Sequence, residues 1–122
     1  MPEVKYMPHE GQSVLLLDFS DIADYSVLPG LVDEGIRLAQ AGNARHSVRA
    51  LIDLSGTRVR KPVIDSLERL SKNNGPYMKA VVFVGLSGSW SLLLSMFLRS
   101  AGRSNHRVLH NRDQALRWLA LQ

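Results

Sequence analysis

A chain of 122 residues fits one domain, 1–122, and is long enough to bury a core without disulfide or metal staples. Apolar residues make up 45% and charged residues 21%, an ordinary globular balance; the absence of cysteine excludes disulfides, thiolate metal sites and cysteine nucleophiles. The formal charge of +4 hides an asymmetry, since residues 1–57 hold 4 basic against 8 acidic side chains and residues 58–122 hold 11 against 3. Such a basic half can serve nucleic acid, anionic lipid or an acidic protein. Here it reads as solvated surface scattered by folding, with no nucleic-acid partner. The start, Met-Pro-Glu-Val-Lys-Tyr, shows no basic region followed by an apolar run, so no signal peptide is expected and the expected location is the cytoplasm. The most apolar stretch, Trp90 to Leu98, is too short to span a bilayer, so no integral membrane segment is expected.

In chain order, Val4 to Met7 is an extended segment, Pro8-His-Glu-Gly11 is turn chemistry, and Ser13 to Phe19 is a second strand. The short connection makes them an antiparallel hairpin with the first strand at the edge. After a loop at Ser20 to Asp24, a helix is expected from Val27 to Ala41. Pro29 falls in its first turn, Leu31, Val32, Ile36, Leu38 and Ala39 form its apolar face, and Gly42-Asn43 ends it. Gly35 inside this helix marks a close approach to the sheet.

Val48-Arg-Ala-Leu-Ile-Asp-Leu-Ser-Gly56 is the stretch that organises the chain, a strand apolar on both faces that demands cover above and below. A basic loop, Thr57 to Lys61, leads into a helix opened by Pro62, with Val63, Leu67 and Leu70 at core spacing. Lys79 to Gly85 is another doubly buried strand. Leu86-Ser-Gly-Ser89 leads into a helix from Trp90 to Ala101, and Gly102 stops it. His106 to Leu109 is a short strand. Asn111 caps a last helix, Arg112 to Leu121, with Gln114 at the capping-box position. The order β-β-α-β-α-β-α-β-α predicts an α/β fold, a mixed sheet of about five strands with helices packed around it and right-handed crossovers.

Three segments carry a family resemblance over essentially the whole chain. Leu51-Ile-Asp53, Ala80-Val-Val-Phe-Val-Gly85 followed by Trp90, and Gln114-Ala-Leu-Arg-Trp118-Leu119 resemble the STAS domain of anti-sigma-factor antagonists, and more closely the SpoIIAA-like single-domain proteins. The resemblance implies a non-enzymatic regulatory or binding module acting through protein–protein contact. It implies, as the alternative, a carrier of a small apolar ligand or lipid at a membrane surface, because SpoIIAA-like folds are similar to the lipid-binding CRAL-TRIO architecture. No cofactor is implied. Antagonists of this kind are phosphorylated on a serine in Asp-Ser-Ser-Gly, and this chain has Ile64-Asp65-Ser66-Leu67 instead. The second Ser and the Gly are missing and the pair lies beyond Pro62. Ser66 is therefore a weak phosphosite candidate, read here as part of a solvent-facing Asp-Ser pair.

Asp18 and Asp53 both end apolar strands, so two carboxylates could meet at the sheet edge where open α/β folds bind ligands. A receiver-type acidic pocket would need a further acid and a Lys after the last strand, and no Lys follows Lys79. The expectation is that each carboxylate accepts N–H bonds from its own turn. Gly85-Leu-Ser-Gly-Ser89 lacks the Lys and spacing of a P-loop and reads as capping. His9, His46, His106 and His110 lack metal-ligand spacing, though His106 and His110 should share one side of their strand, and no Gly-x-Ser-x-Gly elbow supports a triad.

The helix Trp90 to Ala101 carries the functional expectation. Trp90, Leu93, Leu94, Phe97, Leu98 and Ala101 fall on one arc, read as the core face. Leu92 and Met96 form a second stripe that a solvated helix has no use for, unless the helix is sandwiched inside the monomer. Trp90, Leu92, Met96 and Arg99 are thus the expected partner or ligand surface. The simplest partner is a second copy, with Arg99 and Arg103 pairing to Asp33 or Glu34 of the homodimer.

Overall fold

The computed structural model describes residues 1–100, 102 and 104–122. Five strands form one sheet in the order β1 (Glu3–His9), β2 (Gln12–Asp18), β3 (Val48–Asp53), β4 (Met78–Val84) and β5 (His106–Val108). β1 and β2 are antiparallel, and every later pairing is parallel. The expected hairpin, its edge position and the central place of β3 are all present, with strand ends shifted by a residue or two.

The strands follow one another across the sheet in a single direction. Right-handed crossovers in a sheet of that order must carry all their helices on one face. α1 (Leu28–Gln40), α2 (Lys61–Asn74) and α3 (Ser89–Ser100) accordingly share a core with Leu15, Leu17, Ala50, Ile52, Val81 and Phe83. The other face, with Val14, Leu16, Leu51 and Val82, is covered by α4 (Arg112–Ala120) through Ala115 and Leu119. Cover on both faces is as β3 demanded, but it is lopsided, three helices against one.

Local chemistry explains the joins. α1 starts at Leu28 rather than Val27, because residues 25–27 form a 3-10 turn whose cap, Asp24, accepts from the Ser26 amide at 3.0 Å. That bond holds the Asp24 carboxyl below its usual range. A Cβ at Gly35 would sit 3.0 Å from Leu17 Cδ2 and 3.2 Å from Leu70 Cδ2, so the close approach is to both β2 and α2. At Gly85, φ is +83° and a Cβ would lie 2.3 Å from the Ser55 amide nitrogen; only glycine lets the β4 exit pass the β3 exit. Asn111 caps α4 by accepting from the Gln114 amide at 3.0 Å. The Gln114 side chain reaches the His110 amide at 3.2 Å, one residue earlier than a capping box requires.

Candidate functional site

α3 departs from its expected packing. Helical spacing determines which side chains share an arc, but not whether that arc reaches the sheet. Of the arc read as core, only Leu98 is buried, Leu94 packs partly, and Trp90, Leu93 and Phe97 are 40%, 52% and 65% exposed. Ala101 and Arg103 lie outside the described residues. Leu92 and Met96 are 63% and 56% exposed, so the helix is not sandwiched within the monomer. Neither stripe is packed away, since the first is covered only in part and the second is open, on a helix whose single charged residue is Arg99.

The reason is a cavity. A space of about 580 Å³ lies above the sheet, lined by residues of both α2 and α3. Its floor is sheet, with Leu15, Ile52, Val81 and Phe83; Ile64 and Leu67 of α2 form one wall. Trp90, Leu93, Leu94 and Phe97 of α3 form the other, whereas Leu92 and Met96 lie outside the lining. The volume lies within the ordinary range of small-molecule pockets, about 300–1,000 Å³, and the lining is predominantly apolar. Local spacing does not announce such a space, because it depends on how the elements are placed against one another in the folded chain. The one available signal was the second apolar stripe, Leu92 and Met96, which gives α3 more apolar surface than one packed face uses.

At the carboxyl edge of the sheet, Asp18 and Asp53 are partners in the parallel register of β2 and β3. Each accepts from its own turn as expected, Asp18 Oδ1 from the Ser20 amide (3.1 Å) and hydroxyl (2.5 Å), Asp53 Oδ1 from the Ser55 amide (2.9 Å). The sequence reading missed what bridges them. Arg112, at the first turn of α4, donates Nε to Asp53 Oδ2 at 2.7 Å and places Nη2 3.2 Å from Asp18 Oδ2. Burial pushes the Asp53 carboxyl up, but the Ser55 and Arg112 hydrogen bonds outweigh it and the net shift is downward. A carboxylate pair sharing one guanidinium is suited to docking α4, not to general acid or base work.

Ser66 is on α2 as expected, but it is buried, and its hydroxyl donates to the Pro62 carbonyl at 2.8 Å. The solvent-facing Asp-Ser pair is therefore half right: Asp65 is exposed and pairs with Lys61 at 2.8 Å, while Ser66 faces inward at the helical step after Val63. The anticipated rim acids are taken, since Asp33 pairs with Arg69 at 2.5 Å and Glu34 with Arg37. Among the described residues no three His, Asp or Glu side chains gather where a metal ion could sit, and no helix is long and apolar enough to cross a membrane.

Five strands in sequential order, an antiparallel edge hairpin and helices on both faces make this a SpoIIAA-like fold of the STAS type. Among solved structures it is similar to an uncharacterised protein of the DUF3478 family with a SpoIIAA-like fold from Shewanella loihica PV-4. That match has a TM-score of 0.68 at 16% identity and covers 95% of this chain and 91% of the other. It is also similar to an anti-sigma-factor antagonist (STAS) domain protein from Planctomyces limnophilus, with a TM-score of 0.54 at 12% identity over 97% and 98% of the two chains. No family model and no curated protein matches the sequence.

Proposed function

We propose that this chain is a non-enzymatic, cytoplasmic regulatory module that works by contact with a protein partner through α3. The observation that carries the reading is the exposure of Leu92, Leu93, Met96 and Phe97 on one helix, each more than half open to water. Every large apolar side chain taken out of water is worth about 1.5–3 kcal/mol, so covering this set offers a partner a sizeable driving force. The STAS-like architecture supports a role in protein–protein regulation by analogy of fold. Arg99 at the end of the helix would sit on the polar rim.

The test is a photoreactive amino acid placed at Leu92 or, as control, at the exposed Arg117 on the opposite face, in the native host. A discrete protein adduct is expected from position 92, absent from position 117 and lost when Met96→Glu is added. Equal adducts from both positions, or none from position 92, would sink the reading.

A second reading, a carrier of a small apolar ligand, is favoured by the cavity of about 580 Å³. Native mass spectrometry of chain purified from its host separates the two. A co-purified small molecule supports the carrier, and a ligand-free mass supports the contact module.

A further inference from the structure

We propose that the cavity above the sheet takes a neutral, mostly apolar ring compound carrying a hydroxyl or N–H group, and that Asn74 accepts a hydrogen bond from that group. The inference rests on the carrier reading and names the chemistry of the cargo. Asn74, the last residue of α2, belongs to the cavity lining and is 5% exposed. Its Nδ2 donates to the Gly35 carbonyl at 3.3 Å. A carbonyl can only accept, so this contact sets Nδ2, and not Oδ1, toward Gly35. Oδ1 is buried and has no hydrogen-bond partner among the described residues. A buried acceptor left unmet is destabilising and calls for a donor. Bulk water does not reach this oxygen, so the donor comes best with an occupant of the cavity that Asn74 lines.

The rest of the lining narrows the class. Of its other polar side chains, Glu68, Ser71 and Lys72 are on exposed residues and keep contact with water. The His106 ring has its Nδ1 2.8 Å from Asn105 Oδ1. Among the described residues, Asn74 is thus the one lining residue with a buried side-chain polar atom left unpaired. The two charged lining residues, Glu68 and Lys72, are of opposite sign and both exposed, so no buried charge waits for a counter-ion. An ionised ligand drawn into this space would lose its water without an answering charge, which favours a neutral one. Phe83, Trp90 and Phe97 contribute aromatic rings to the lining, against which a flat ring packs edge to face or offset. An apolar recess with one placed polar group orients its ligand through that group.

The experiment titrates the full chain with 1-naphthol and with 1-methoxynaphthalene, read by isothermal calorimetry at neutral pH, where both are uncharged. The two share the ring and the oxygen, and only the first can donate. The native chain should bind 1-naphthol about fivefold or more tightly, although the methoxy compound has the larger apolar area. This comparison needs no variant. Asn74→Leu, its fold verified by circular dichroism, should lose the preference and still take the methoxy compound. Leu67→Trp, which fills the cavity from α2, should weaken both probes, and Arg117→Glu on the far face should leave both unchanged. Equal binding of the two probes by the native chain means that water serves Oδ1; it overturns the inference and leaves the carrier reading standing. A preference that survives Asn74→Leu also overturns it, because another group then reads the donor. Binding of neither probe by the native chain sinks the inference and the carrier reading together.

Discussion

Arg112→Met isolates the bridge at the carboxyl edge of the sheet. The substitution keeps the stem that packs at the start of α4 and removes the cation shared by Asp18 and Asp53, whose side chains are 13% and 7% exposed. Removing one partner of a fully buried ion pair costs about 3–5 kcal/mol. The Arg112 side chain is 39% exposed, and both carboxylates keep their turn hydrogen bonds, so the expected loss is lower, about 1.5–3 kcal/mol. The loss depends on pH. In the native chain the Asp53 carboxyl is shifted down, so its contribution is present above the ordinary carboxylate value of the unfolded chain and disappears as pH falls through the lower folded value. In the variant the two carboxylates repel, and protonation relieves them. The gap between native chain and variant, measured by urea unfolding, should therefore narrow as the buffer is taken from neutral to acid. Adding Asp53→Asn should return part of the loss at neutral pH. A gap that stays constant across this range would mean that the bridge is not the source of the effect.

Ile52→Ala and Val82→Ala test the two faces of the sheet, since both residues are buried, at 6% and 0% exposure. Ile52 faces the cavity, so its truncation should fall at the low end of the usual range, about 2 kcal/mol in urea unfolding, and should increase uptake of an apolar dye. Val82→Ala beneath α4 should leave dye uptake unchanged. Gly35→Ala gains about 0.5–1 kcal/mol of helix propensity; Leu17 and Leu70, which its methyl would press, both line the cavity and can yield into it. The variant should be neutral or slightly more stable, and a loss above about 2 kcal/mol would show that the two leucines are fixed. Ser66→Asp should destabilise strongly, because a carboxylate would replace a buried hydroxyl bonded to Pro62. Stoichiometric phosphate on Ser66 in protein from the native host, seen by mass spectrometry, would contradict this picture.

Much of the architecture was legible because it follows from short-range rules. Val48 to Asp53 is apolar on both faces and lies at the centre of the sheet; Asn111 has the side chain of an N-cap and acts as one. Gly35 announced its close contact through its cost inside a helix. The site was legible only in outline. The second stripe, Leu92 and Met96, was visible from spacing, but the exposure of Trp90, Leu93 and Phe97 along the cavity depends on where α3 sits relative to α2 and the sheet, which no local pattern encodes. Arg112 was missed because its partners lie 59 residues away or more in sequence. Two carboxylates paired in register at adjacent strand ends called for a cation, and the first turn of a helix covering that face was the place to look.

The sequential strand order also bears on how the chain emerges during synthesis. Each strand pairs with the one just before it, so the sheet can grow as the polypeptide leaves the ribosome without waiting for a distant segment. The three crossover helices arrive in step with the strands they cover. The opposite face has no such escort: Val14, Leu16, Leu51 and Val82 stay uncovered until α4, which follows all five strands, has been made. For that interval the nascent domain is a half-clad sheet, open to chaperones and to other unfinished chains. A stop codon just before Arg112 would make that interval permanent and yield insoluble protein.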